Sequence, residues 1–335
     1  MAASLPLFGQ AQPAPGLVGI ARLASLGSSI EEGHQVEYFT LPARSLLNRC
    51  TSRRMTFTWT INPYRGCEFG CKYCYARYTH EFMEMRNSLE FEQKIYVKQQ
   101  AAWLLRHDLK KVKPGESIAL GTATDPYQPA ERRYGITRAI LEEFAQHASL
   151  ELGIVTKSNL ILRDAELLQR VAKQNRLAIN LTITTLDTNL ARILEPRAPR
   201  PDLRIEAVRK LSAAGLRVGV ICAPVLPGIT DSPADLESLV KEVARAGAAW
   251  IYTNPLFLKP CSEKVFIPFL EKEFPHLAEN YRQRYQSRAF SPDSYRKRIS
   301  SLVAALREKY GLGERFGRIS PQTTTGHEPA QAELF

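Results

Sequence analysis

From Met55 onward, six short runs rich in β-branched and apolar residues are separated by stretches with helical periodicity. No other feature constrains the fold as strongly. The runs are Thr56–Ile61, Ser117–Leu120, Leu152–Thr156, Leu177–Thr184, Arg217–Cys222 and Ala249–Thr253. The helical patterns cover Lys94–Leu105, Thr137–Ala148, Arg163–Lys173, Pro201–Ala214 and Ser232–Ala246. Strict β-then-α order implies parallel strands with right-handed crossovers. A closed eightfold barrel takes about 250 residues, whereas the alternating region spans about 200. The pattern therefore predicts an α/β fold with an incomplete (β/α)6 TIM-type barrel over residues 55–255. Residues 1–54 read as a tail or wrapping segment, 256–318 as a basic, aromatic-rich helical extension, and 319–335 as a flexible tail. Within Leu177–Leu186, the polar residues Asn180, Thr182 and Thr184 alternate with Leu181, Ile183 and Thr185, so one strand face is polar. With helices covering the outside, that face points into the barrel; the other reading is a solvent-facing edge.

A chain of 335 residues that is 44% hydrophobic buries a core without disulfides, so its six cysteines need another explanation. No apolar run reaches the roughly 18 to 20 residues of a membrane helix, and Met1–Leu26 lacks the basic start and apolar stretch of a secretory signal. The expectation is a cytoplasmic protein without membrane association. The formal charge of +11 favours polyanionic partners.

The most informative segment is Asn62-Pro63-Tyr64-Arg65-Gly66-Cys67-Glu68-Phe69-Gly70-Cys71-Lys72-Tyr73-Cys74-Tyr75-Ala76-Arg77, a C-x3-C-x2-C triad directly after the first strand. Loops leaving the C-terminal ends of barrel strands are where α/β barrels place catalytic residues. Three close thiolates can hold zinc or an iron–sulfur cluster. Structural zinc normally takes four ligands, often from two C-x2-C pairs, and only one such pair exists here. Cys50, Cys222 and Cys261 are isolated and read as buried packing residues; His80 is the other soft ligand nearby. A [4Fe–4S] cluster on three thiolates leaves one iron open to a substrate or cofactor.

This triad, on the loop after strand one of a partial barrel, resembles the radical S-adenosylmethionine (SAM) superfamily. The resemblance implies that Cys67, Cys71 and Cys74 bind a [4Fe–4S] cluster. The open iron would chelate the amino and carboxylate groups of SAM. Reductive cleavage of the sulfonium would then yield methionine and a 5′-deoxyadenosyl radical that abstracts hydrogen from the substrate.

Gly121-Thr122-Ala123-Thr124-Asp125-Pro126-Tyr127-Gln128-Pro129, Val155-Thr156-Lys157-Ser158, and Tyr73 and Tyr75 flanking Cys74 resemble the spore photoproduct lyase-like branch, over about residues 55–255. On that resemblance Thr124 and Lys157 contact the polar end of SAM, with Thr182, Thr184 and Arg197 as further candidate cofactor-binding residues. Tyr75 would lie beside the cofactor and Tyr73 near the substrate radical, as the catalytic pair. One position departs from the branch: the cysteine that returns a hydrogen atom in the lyase falls at Thr122. A threonine O–H bond is too strong to serve as such a donor, which argues against thymine-dimer repair.

From Tyr281 to Arg318 there are ten Lys or Arg against three Asp or Glu, interleaved with Tyr281, Tyr285, Phe290, Tyr295, Tyr310 and Phe316. Cations for phosphates beside aromatics for bases suit nucleic acid, and Arg204, Arg209, Lys210 and Arg217 would extend the field. The other reading is a helix whose aromatics cover the barrel. The last five residues, Gln331–Phe335, resemble the motif by which bacterial replication and repair proteins dock on the DNA sliding clamp. The expectation is a radical SAM enzyme acting on DNA, with a flavodoxin or ferredoxin as electron donor. Radical chemistry on RNA, protein or a small molecule is the alternative, and a non-catalytic iron–sulfur or zinc nucleic-acid-binding protein is the third reading.

Overall fold

The structure is a computed structural model and describes residues 16–25, 29–33, 36–52 and 55–313. Its strands are β1 (Ser29–Gly33), β2 (Val36–Thr40), β3 (Leu47–Arg49), β4 (Trp59–Ile61), β5 (Tyr64–Arg65), β6 (Lys94–Val97), β7 (Ser117–Leu120), β8 (Glu151–Thr156), β9 (Arg176–Thr182), β10 (Val218–Val225) and β11 (Trp250–Pro255). The larger sheet runs β11-β10-β9-β8-β7-β4-β3. Its first six members are all parallel, and β3 adds an antiparallel edge. Six parallel strands in sequential order, open between β11 and β3, form the incomplete barrel that the alternation predicts.

The local causes are legible. Almost every residue of β10 and all of β11 are buried, as expected for strands covered by helices outside and packed side chains inside. The crossover helices Pro201–Ala213 and Pro233–Arg245 each carry proline in the first turn, and the Ser232 hydroxyl caps the second by accepting from the Asp235 amide.

Two sequence expectations change. Lys94–Val97 is strand rather than the start of a helix, and the helix begins at Ala101. The tetrapeptide Lys-Ile-Tyr-Val carries β propensity, and its pairing partners are remote in sequence: β2 in parallel and β5 antiparallel. The resulting four-stranded sheet, β1-β2-β6-β5, draws part of segment 1–54 against the cysteine loop. The strand β3 ties another part of that segment to the barrel edge.

The C-terminal extension overturns the stacking reading of its aromatics. Tyr281, Tyr285 and Tyr295 are buried, and their hydroxyls donate inward: Tyr281 to the Pro227 carbonyl (2.8 Å), Tyr285 to the Leu256 carbonyl (3.1 Å), Tyr295 to Asp231 (2.9 Å). Tyr310 donates to Glu237 (2.8 Å), and Phe290 packs on Phe257 with ring centroids 4.5 Å apart. These rings cover the barrel because the helices Pro260–Glu273, Pro275–Tyr285 and Asp293–Tyr310 must bury one face. Phe316 and Gln331–Phe335 lie outside the described residues. Among the described residues no helix is long and apolar enough to cross a membrane.

Candidate active site

The C-terminal ends of β4, β7, β8, β9 and β10 open on a cavity. Its walls include Cys67, Cys71 and Cys74, both tyrosines Tyr73 and Tyr75, the segment Gly121–Asp125, and Thr156, Lys157 and Thr182. The cysteine loop is fixed by backbone geometry. Gly66 sits at φ +82°, and a Cβ there would meet the Lys94 carbonyl at 2.7 Å. Gly121 sits at φ +91°, where a Cβ would lie 2.5 Å from the Val155 carbonyl. Only glycine lets these turns close on their neighbours.

Hydrogen bonds finish the cradle. The buried Arg77 donates to the carbonyls of Cys71 (3.0 Å) and Ser88 (2.7 Å) and pairs with Glu92 (2.5 Å). The Lys72 amide donates to the Leu194 carbonyl (2.9 Å), and the Ser262 hydroxyl to that of Cys74 (2.8 Å). Thr124 donates to the Gly66 carbonyl (2.6 Å) and accepts from Gln128 (2.9 Å), whose own carbonyl oxygen accepts the Glu68 amide (3.0 Å). Thr124 thus holds the loop while also lining the cavity. Burial pushes all three thiols up, Cys71 to about 12.

Asp125, half-buried, accepts from the Thr156 hydroxyl (2.6 Å) and from the amides of Lys157 (2.7 Å) and Tyr127 (2.9 Å). This lock aims Lys157 inward, its Nζ 5.7 Å from the Tyr73 ring centroid. Burial opposes the Lys157 charge, but Cys71 and Glu195 more than offset it and hold the ammonium above its ordinary pKa.

Three kinds of group define the site's chemistry: the thiols of Cys67 and Cys71, buried, and of Cys74, half-buried; the Lys157 ammonium; and the Tyr73 ring beside it. Among the described residues, no three His, Cys, Asp or Glu side chains converge as ligands of a single metal ion. One thiolate per iron on a cubane needs no such convergence, so the spread triad fits an iron–sulfur cluster. Comparison with known families agrees, the Radical SAM superfamily matching residues 61–243. The chain belongs to the radical SAM superfamily.

Its relatives do not add a reaction. An uncharacterized protein of Mycobacterium tuberculosis is 34% identical over 323 residues, covering 96% of this chain and 94% of the relative. An uncharacterized protein of Methanocaldococcus jannaschii is 27% identical, covering 75% and 86%. Among solved structures, spore photoproduct lyase complexed with dinucleoside spore photoproduct is similar in fold, with a TM-score of 0.64 at 18% identity over 92% of this chain and 86% of that one. A doubly substituted mutant of the same lyase with bound AdoMet and the dinucleoside gives 0.63 at 17% identity, covering 82% and 79%.

Within this radical SAM barrel the candidate residues separate into two groups. Tyr73, Tyr75, Thr124, Lys157 and Thr182 line the cavity with the cysteines. The Tyr75 hydroxyl donates to the Thr122 carbonyl, and the Thr122 hydroxyl oxygen accepts from Asn62 (3.3 Å). Thr184 is buried behind the cavity and donates to Glu195 (3.2 Å). Thus Thr182 and Thr184 face inward, and Asn180 accepts from Trp250 Nε1 (3.0 Å). Arg197 is exposed and does not line the cavity; its amide donates to the Phe69 carbonyl (3.3 Å).

The sequence reading missed Glu195 and misassigned Arg204. Arg204 is 1% exposed rather than part of a basic surface. It pairs with Glu195 and donates to the carbonyls of Pro199 (2.7 Å) and Thr182 (3.1 Å). Glu195 also accepts the Tyr73 hydroxyl, so this buried pair orients a cavity-lining ring. Burial works against the Glu195 carboxylate, yet Arg204 and Lys157 hold it below the ordinary range.

A second basic group lies on the smaller sheet. Arg65 on β5 and Lys98 just after β6 lie on one face of the smaller sheet, because Arg65 pairs with Tyr96 and Lys98 follows two residues later. Burial first, then the Arg65 charge, pulls Lys98 down to about 7. The folded state therefore binds fewer protons than the unfolded chain between pH 7 and the usual value of about 10.4. The cost is full below pH 7 and fades as pH rises through that window. Lys98→Met is accordingly expected to stabilise the protein at pH 6 in phosphate-free buffer by about 2–4 kcal/mol, and far less at pH 9.5. Denaturant unfolding at both pH values checks this, and an equal gain at both would contradict it.

Proposed function

We propose that this radical SAM enzyme uses Cys67, Cys71 and Cys74 to hold one [4Fe–4S] cluster and acts on DNA, in repair or modification. The observation that carries the reading is the shared cavity, which Cys67, Cys71 and Cys74 line together with Lys157, whose ammonium stands 5.7 Å from the Tyr73 ring. When bound and reduced by a carrier such as flavodoxin or ferredoxin, the cluster with SAM supplies a 5′-deoxyadenosyl radical. The protein's own work is positional. Lys157 supplies a cation for the SAM carboxylate, Thr182 offers a hydroxyl from the strand wall, and the aromatic and apolar walls exclude water from the reacting carbon. Tyr73 and Tyr75 line the same cavity and would be the redox-capable aromatic side chains available there.

DNA as substrate is supported by the net charge of +11 and by the C-terminal residues Gln331–Phe335, whose pattern suits docking on the bacterial sliding clamp. Thr122 at the cavity wall argues for an outcome other than thymine-dimer reversal, since no thiol stands there.

Anaerobic reconstitution followed by reduction should give 5′-deoxyadenosine from SAM. In the same assay Lys157→Ala is expected to weaken SAM binding tenfold or more, roughly the cost of truncating one buried charge partner. Unchanged affinity would remove Lys157 from the SAM site. DNA affinity that falls steeply with salt, and a modified nucleoside that vanishes from cells lacking the protein, would support the substrate; failure of both would shift the reading to RNA, protein or a small molecule.

A further inference from the structure

Buried cations without carboxylates are costly, and chains retain them where an anion completes the site. Two cations, Lys259 and Arg65, stand by Tyr78 without one, and Lys98 lies beside Arg65. The Lys259 Nζ stands 3.7 Å from the Tyr78 ring centroid. Arg65 lies within the field of the Tyr78 hydroxyl and donates only a long bond, 3.4 Å, to the Thr79 carbonyl. Its Nε is buried and has no hydrogen-bond partner. Lys98, on the same sheet face, is 6% exposed, and among the described residues its ammonium makes no ion pair. Glu81, the acidic residue on the adjoining helix Tyr78–Glu81, is exposed and pairs with none of the three.

The cluster is joined to the cavity. Tyr78 stacks on the cavity-lining Tyr75 with centroids 6.4 Å apart, and Lys259 also stands 5.8 Å from the ring of Phe257, another wall residue. The wall residues Tyr75 and Phe257 thus connect the cavity to Tyr78 and Lys259.

We infer that Lys259 over the Tyr78 ring, Arg65 beside it and Lys98 on the sheet face of Arg65 form a subsite for a phosphate group of the substrate. A guanidinium with an unused Nε–H and two ammonium groups match the several acceptor oxygens of a phosphodiester. A nucleotide placed with its reacting carbon in the cavity would leave its backbone phosphate here. The nucleotide identity rests on the DNA reading above; the phosphate subsite does not.

The test uses full-length protein with its cluster reconstituted. Its unfolding midpoint is followed against 0 to about 20 mM inorganic phosphate, with ionic strength held constant by chloride. A saturable rise is expected, as for any ligand that binds only the folded state. Lys98→Met and Lys259→Met, made separately, should each lose most of it, and because Lys259 is half-exposed its variant tests the site independently of the buried Lys98. A rise that is absent in the wild type, or equal in wild type and both variants, would overturn the subsite. Single-stranded oligothymidylate supplies the second arm. Each variant should bind it less tightly, with the slope of log affinity against log salt reduced by about one. If the phosphate response is lost in the variants while oligonucleotide binding is unchanged, the subsite stands and the nucleic-acid reading falls.

Discussion

Replacing Cys71 with alanine is expected to reduce bound iron from about four atoms per chain to less than one, and to abolish the broad absorbance near about 400 nm. SAM cleavage should become undetectable. The reason is ligand economy: a cubane on three thiolates already leaves one iron without a protein ligand, and removing another leaves two. Cys67, Cys71 and Cys74 share one cavity wall, while Cys50, Cys222 and Cys261 do not line it. Among the described residues no alternative trio of His, Cys, Asp or Glu is gathered at metal-binding distance. Cys50→Ala, Cys222→Ala and Cys261→Ala should therefore retain full iron. Cys222→Ala costs only packing, because the residue is a fully buried member of the barrel core. Iron analysis and visible spectra after anaerobic reconstitution decide the matter, and stoichiometric zinc without iron uptake would refute the assignment of the triad.

How far the sequence reveals this site depends on whether its signals are local. The barrel strands are legible because each is a continuous β-branched run bounded by helical periodicity, and the cysteines because ligand spacing is itself local. Lys157 is found through its position just after β8. The sheet β1-β2-β6-β5 is not legible, because its strands are short and its central pairing joins β2 to β6 across more than fifty residues, so no periodicity links them. The C-terminal aromatics mislead for a different reason. Tyrosine beside arginine has the same composition whether the ring faces bases or barrel, and only the helix packing sends Tyr281, Tyr285 and Tyr295 inward.

Arg204 illustrates a signal that was present. In Pro201–Ala213 the buried stripe runs Pro201, Arg204, Val208, Leu211, which is helical spacing with one charge inside it. A charge on an apolar stripe demands a buried counter-charge, and the preceding turn contains Glu195. Phosphate-subsite residues leave a weaker trace: Arg65 sits in the cysteine segment itself, but Lys98 joins it only through the pairing of β5 with β6.

Breaking the Glu195–Arg204 pair should have the second-largest effect, this time on stability. Their side chains are 0% and 1% exposed, so water cannot replace a missing partner. Arg204→Met leaves Glu195 charged in a low-dielectric interior and strands the carbonyls of Thr182 and Pro199 that Arg204 serves. Removing one member of such a pair costs about 3–5 kcal/mol. The pH dependence separates this from simple loss of packing. In the wild type Glu195 lies below its ordinary value, so its contribution is present above the unfolded carboxylate value of about 4.3 and is lost as pH falls through the lower folded one. Without Arg204, burial acts with less opposition and the carboxyl moves up. The deficit of Arg204→Met relative to wild type should then be largest near pH 8 and shrink toward pH 5, where Glu195 can take a proton. Glu195→Leu combined with Arg204→Met should recover much of the loss, because an apolar pair of similar volume leaves no orphaned charge. Urea unfolding of the two single variants and the double variant at pH 5 and 8 gives the full cycle. A deficit independent of pH, or a double variant as unstable as the sum of the singles, would mean that Arg204 acts through volume alone and that Tyr73 is not held in place by charge.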